Sequence, residues 1–125
     1  MLKDAPVGPN IPAKDLERAR GFYKEVLGLR EAEGAQKGGA LFDCGQGTKL
    51  FVYPREGATP EHTLATFVVE DIEAEMTDLE NKGVEFLDFD VPGARTTNKI
   101  GTSATSKSAW FKDTEGNWLS ILQML

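Results

Sequence analysis

Apolar positions recur at helical spacing over residues 15–28, DLERARGFYKEVLG, where Leu16, Ala19, Tyr23, Val26 and Leu27 share one face. Asp15 stands where an N-cap carboxylate belongs, and Gly28 where a helix stops. Residues 71–83, DIEAEMTDLENKG, repeat the plan: Asp71 as cap, Ile72, Met76 and Leu79 on the apolar face, Gly83 as the stop. An extended stretch precedes each helix, Val7 to Ala13 and Thr63 to Glu70, and a hairpin pattern follows each. The first hairpin is ALFDCGQGTKLFVY and the second AWFKDTEGNWLSIL, each with glycine in the turn between apolar runs.

Superposing Gly47 on Gly116 places Phe42 on Phe111 and Leu50 on Leu119. Such self-similarity predicts a repeated β-α-β-β-β unit, module one over about residues 1–56 and module two over about 60–125, together forming one α+β domain. The second copy is longer, and its extra residues fall in 90–107, DVPGARTTNKIGTSATSK, which is rich in Gly, Ser and Thr. A stretch this long with little apolar pattern reads as a flap over a site or as plain surface disorder.

Composition narrows the function classes. The 125 residues are 40% hydrophobic and 27% charged, ordinary values for a chain that buries a core. A formal charge of -6 disfavours phosphate backbones and anionic lipid surfaces, so neither nucleic acid nor a membrane is an expected partner. Cys44 is the single cysteine and His62 the single histidine, which excludes an intrachain disulfide and a cysteine/histidine zinc cluster within one chain. With no signal-peptide pattern and no long apolar run, the expected location is the cytoplasm.

The segments IPAKDLERARGFYKEVLGL and FKDTEGNWLSI resemble the opening and closing signatures of the vicinal oxygen chelate superfamily, which includes glyoxalase I, bleomycin-resistance proteins, fosfomycin-resistance enzymes and extradiol dioxygenases. The resemblance implies two βαβββ modules in a cup-shaped mixed sheet, pairing of the chain as a homodimer, and a divalent metal held at four strand positions. Carried onto this sequence, those positions are Gly8 and Leu64, seven residues before each capping Asp, and Phe51 and Ser120, four beyond each turn glycine. Three of these side chains lack a donor and the serine hydroxyl is a weak one, so no metal and no other cofactor is expected.

Strand alternation from those four positions sets the rest of the inward face: Asn10, Lys49, Tyr53, His62, Thr66, Trp118 and Leu122. The hairpin repeat pairs Leu41 with Trp110 and Asp43 with Lys112, and puts Phe42 and Phe111 under the helices. Phe51, Tyr53, Trp110 and Trp118 then lie on one face with few polar groups, as in a pocket for a small, partly aromatic ligand; alternatively they fill the cup as core. Asn10, Phe51, Tyr53, His62, Leu64, Thr66, Trp110, Trp118 and Ser120 are therefore the candidate ligand-binding residues.

His62 is the one side chain that titrates near neutrality and is the candidate general base, or else a surface residue beside Glu61. Cys44 is expected on the helix side as a small apolar residue. Arg95, Asn98 and Lys99 are placed to clamp an anionic group if the 90–107 stretch closes. Glu17 and Glu73 read as solvent-facing first-turn residues. The leading function is metal-free binding of a small molecule. The alternatives are a metal-dependent lyase, isomerase or dioxygenase with displaced ligands such as His62, Asp43 or Glu70, and a non-catalytic dimeric scaffold.

Overall fold

The computed structural model describes residues 1–32, 38–57, 59–92 and 94–125. It divides into two compact units, Met1–Thr59 and Pro60–Leu125. In the first, β1 (Asn10–Ala13) leads through a helix to β2 (Arg30–Glu31), β3 (Ala40–Asp43) and β4 (Lys49–Pro54), and the sheet order is β1-β4-β3-β2. In the second, β5 (Thr63–Val68) leads through α2 (Ile72–Asn81) and a two-stranded ribbon, β6 (Asp90–Val91) and β7 (Ala94–Arg95). The chain then passes to β8 (Gly101–Thr102), β9 (Ser106–Lys112) and β10 (Trp118–Met124), with order β5-β10-β9-β8. In both sheets the first and last strands pair in parallel and the other neighbours antiparallel, so the β-α-β-β-β repeat is present twice.

The repeat holds at single-residue resolution. Phe42 pairs with Leu50 in the first hairpin, and Phe111 with Leu119 in the second. The turn glycines that align, Gly47 and Gly116, have φ of 78° and 85°, a left-handed conformation that glycine adopts without strain. Both capping carboxylates act as expected, Asp15 accepting from the Arg18 amide and Asp71 from the Ala74 amide, each at 3.1 Å.

The first helix differs from a uniform α-helix. α1 spans Leu16–Gly21 and continues as a π-helical turn over Phe22–Val26, with the Leu27 amide bonded to the Phe22 carbonyl. The wider turn lets the consecutive residues Phe22 and Tyr23 both enter the core, where Tyr23 packs on Phe42 with ring centroids 5.8 Å apart. Helical spacing alone selects Tyr23 and leaves Phe22 outside. Ile11, Leu50 and Val52 complete that core; in the second unit Ile72, Met76, Leu79, Phe86, Phe111, Leu119 and Ile121 do the same. Each large side chain buried this way stabilises the fold by about 1.5–3 kcal/mol.

Two boundaries move. The extended stretch expected from Val7 begins as a strand only at Asn10, and Val7 is exposed. The 90–107 stretch is not a bare loop: it contains the β6–β7 ribbon, β8, and a bridge between Thr97 and Ile100. Backbone pairing organises these residues, and a hydrophobicity pattern cannot register it where the side chains are Ser, Thr and Gly.

Candidate functional site

Each sheet buries one face under its helix, and the large side chains of the opposite face are half-buried. In β4, Leu50 and Val52 are buried while Phe51 and Tyr53 are half-buried on the opposite face, their rings stacked 6.3 Å apart and 12° from coplanar. Phe51 lies against Gly39 because that residue has no side chain: a Cβ there would come within 2.4 Å of the Phe51 ring. Asn10 is exposed and pairs in register with Phe51. Asp43 is held by Lys49, whose hydrogen bond and charge keep its carboxyl below the usual carboxylate range.

In the second unit Ala109, Phe111, Leu119 and Ile121 are buried, and Trp110 and Trp118 are half-buried on the other face. Phe89 wedges between the two indoles, 5.6 Å from Trp110 in a T-shaped contact and 5.3 Å from Trp118. Lys112 places its ammonium 4.8 Å from the Trp118 ring centroid, a cation–π contact that covers part of that indole. A cavity of about 230 Å³ opens at this cluster, lined by Glu61, His62, Thr63, Phe89, Trp110 and Trp118. A second, of about 620 Å³, is bounded by Trp110, by Gly101, Thr102, Ser103, Ser106 and Ser108, and by Pro92 and Arg95 at the ribbon.

The structure thus brings His62, Trp110 and Trp118 together at one cavity, with His62 exposed at its edge. Sequence reasoning missed Phe89, because VEFLDF, residues 84–89, precedes the strand β6 and alternation gave it no partner; the alternating apolar positions of that segment are the one signal of its packing. Of Arg95, Asn98 and Lys99, Arg95 lines a cavity. Asn98 and Lys99 form a turn at positive φ, with the Lys99 amide donating to Asp88 and its ammonium near Glu80.

The pairing of β5 with β10 is irregular. Trp118 pairs with Thr63 and Leu119 with Ala65, so Leu64 is the extra residue of a bulge. The cavity is consequently lined by Thr63 rather than Leu64, and strict alternation fails there. Beyond the bulge the phase is regular: Thr66 pairs with Ser120, and their hydroxyls share a hydrogen bond of 2.6 Å.

Residues 7–121 match the model of the Glyoxalase/Bleomycin resistance protein/Dioxygenase superfamily. The chain belongs to this superfamily. A glyoxalase family protein from Bacillus anthracis superposes with a TM-score of 0.77 at 19% identity, over 98% of this chain and 96% of that one. An antibiotic binding protein from Streptomyces superposes at 0.71 and 22% identity, over 100% and 99%. A lactoylglutathione lyase from Agrobacterium tumefaciens does so at 0.65 and 20% identity, over 96% and 93%. These likenesses carry the fold. No match is found among curated proteins.

The four positions at which the superfamily resemblance implies metal ligands do not fit a divalent ion. Gly8 has no side chain, Leu64 and Phe51 are hydrocarbon, and the buried Ser120 hydroxyl is already engaged by Thr66. Nor are His62, Asp43 and Glu70 gathered as displaced ligands: among the described residues no three of His, Cys, Asp or Glu form a group that could hold a metal. Cys44, half-buried, has its thiol pushed up by burial and further by Asp43, against a smaller opposing effect of Lys49. This is the reverse of what an activated nucleophile needs.

Proposed function

We propose that the protein binds a small, partly aromatic molecule on the face of its second sheet that points away from the helix, without a metal held by the protein. The observation that carries this reading is Trp110, a large aromatic side chain half-buried on the face away from the helix, braced by Phe89 and bordering both cavities. A ring of this size is buried when it serves as core; one left accessible beside a concavity offers a stacking surface. Trp118, with Lys112 over it, and His62 extend the same surface, and the Phe51–Tyr53 stack gives the first module an aromatic face of its own. The Streptomyces relative, by its name an antibiotic binding protein, supports binding as a use of this fold.

Titration with planar aromatic compounds, read by tryptophan emission, tests the proposal. Ligands are expected to quench or shift the emission of the native protein and to lose most of their affinity in Trp110→Ala, with the circular dichroism spectrum retained. Emission that responds to no such compound, or responses unchanged in Trp110→Ala, would overturn it.

A further inference from the structure

The cavity of about 620 Å³ shares Trp110 with the aromatic cluster but has a chemistry of its own. Its volume lies within the range of small-molecule sites, roughly 300–1,000 Å³, whereas the histidine-lined cavity falls below it. On a chain of net charge -6, its lining contains no carboxylate among the described residues. Instead the described lining offers the Arg95 cation, the hydroxyls of Thr102, Ser103, Ser106 and Ser108, and the Trp110 ring.

Three details shape what would fit there. Gly101 leaves Trp110 open to the cavity: a Cβ at that position would stand 3.3 Å from the indole Cζ3 and 3.3 Å from the Arg95 carbonyl. The Thr102 and Ser108 hydroxyls have no hydrogen-bond partner among the described residues, so they are available as donors. Arg95 touches Asp90 through Nε at 3.5 Å, and Asp90 is 94% exposed, a solvated and weak ion pair that leaves the Nη donors for another oxyanion.

We infer that this cavity selects an aromatic molecule bearing an oxyanion, such as a carboxylate or sulfonate, its ring against Trp110 and its anionic group between the Arg95 guanidinium and the hydroxyl wall. The inference rests on the aromatic-binding reading above and adds the ligand class and a residue that discriminates it. Arginine suits the role because its planar fork offers parallel N–H donors to a carboxylate or sulfonate.

The test compares naphthoate with its neutral counterpart naphthamide, titrated into the millimolar range against native protein, Arg95→Gln and Trp110→Ala. Amide chemical shifts of residues 101–110 locate the binding. Naphthoate is expected to bind about tenfold more tightly than naphthamide, to weaken with added salt, and to lose its advantage in Arg95→Gln. Because Arg95 is mostly exposed, that variant is expected to fold as the native protein does. Equal affinities that both depend on Trp110, or a preference that survives Arg95→Gln, would overturn the oxyanion inference and leave the aromatic site standing. Binding of neither compound, or binding indifferent to Trp110, would overturn both.

Discussion

Gly39→Ala is the substitution whose cost the structure specifies most closely. A Cβ at residue 39 would lie 2.4 Å and 2.6 Å from the Cζ and Cε1 atoms of Phe51 and 2.7 Å from the Val52 carbonyl oxygen. Ordinary carbon contacts are about 3.5–4.0 Å, so the Phe51 ring, now stacked on Tyr53, must withdraw by about 1 Å. The Val52 carbonyl belongs to β4, where Val52 pairs with Ala40, and it has little freedom to follow. Overpacking of this kind costs about 1–3 kcal/mol, which for a chain of 125 residues corresponds to a Tm lowered by about 5–10 °C. Thermal and urea unfolding followed by circular dichroism would measure it. The double variant Gly39→Ala/Phe51→Ala sharpens the test, because removing the ring relieves two of the three contacts. Its loss is expected to fall short of the sum of the single losses by about 1 kcal/mol, the residue being the contact with the Val52 oxygen. Additive losses, or a Gly39→Ala protein that melts with the native one, would refute the close approach of ring and glycine.

Three further outcomes follow from particular contacts. Thr66→Val leaves the buried Ser120 hydroxyl without its partner and is expected to cost about 1–3 kcal/mol by urea unfolding; Thr66→Val/Ser120→Ala, which removes both hydroxyls, is expected to cost less than Thr66→Val alone. Asp71→Ala removes the cap on α2 and is expected to cost about 1 kcal/mol, whereas Asp71→Asn, which keeps an acceptor for the Ala74 amide, is expected to stay near native stability. At mildly alkaline pH, Cys44 is expected to react with iodoacetamide more slowly than an unstructured cysteine and slower still in Lys49→Gln, because burial and Asp43 raise its pKa while Lys49 opposes them. The raised thiol pKa contributes stability that is fully present below the unfolded pKa and is lost as pH rises through the folded value. Alkylation as fast in the folded as in the urea-unfolded protein would contradict the burial of the thiol.

The sequence by itself determined the repeated module. Local signals write it twice: an aspartate cap and a glycine stop bracketing each helix, and a glycine turn in each hairpin, all readable within a few residues. The equivalence of the two hairpins follows from the same signals: Leu41 pairs with Phe51 in the first, and Trp110, at the matching position, pairs with Ser120 in the second. The donor-poor character of Gly8, Leu64, Phe51 and Ser120 is likewise a property of residue types.

What tertiary structure decided are the departures from period. The π-turn admits Phe22 to the core beside Tyr23, because the backbone adjusted to side-chain packing rather than to helical propensity. The bulge at Leu64 substitutes Thr63 in the cavity wall, a consequence of how β5 meets β10 across more than fifty residues of chain. Phe89 reaches the two tryptophans, and Arg95 the serine-lined cavity, through the β6–β7 ribbon and the segment before it, whose pairing is made by backbone groups. Side-chain periodicity reports burial within one element; where several irregular segments meet at a pocket, the positions are set by contacts between elements, and only the folded chain contains them.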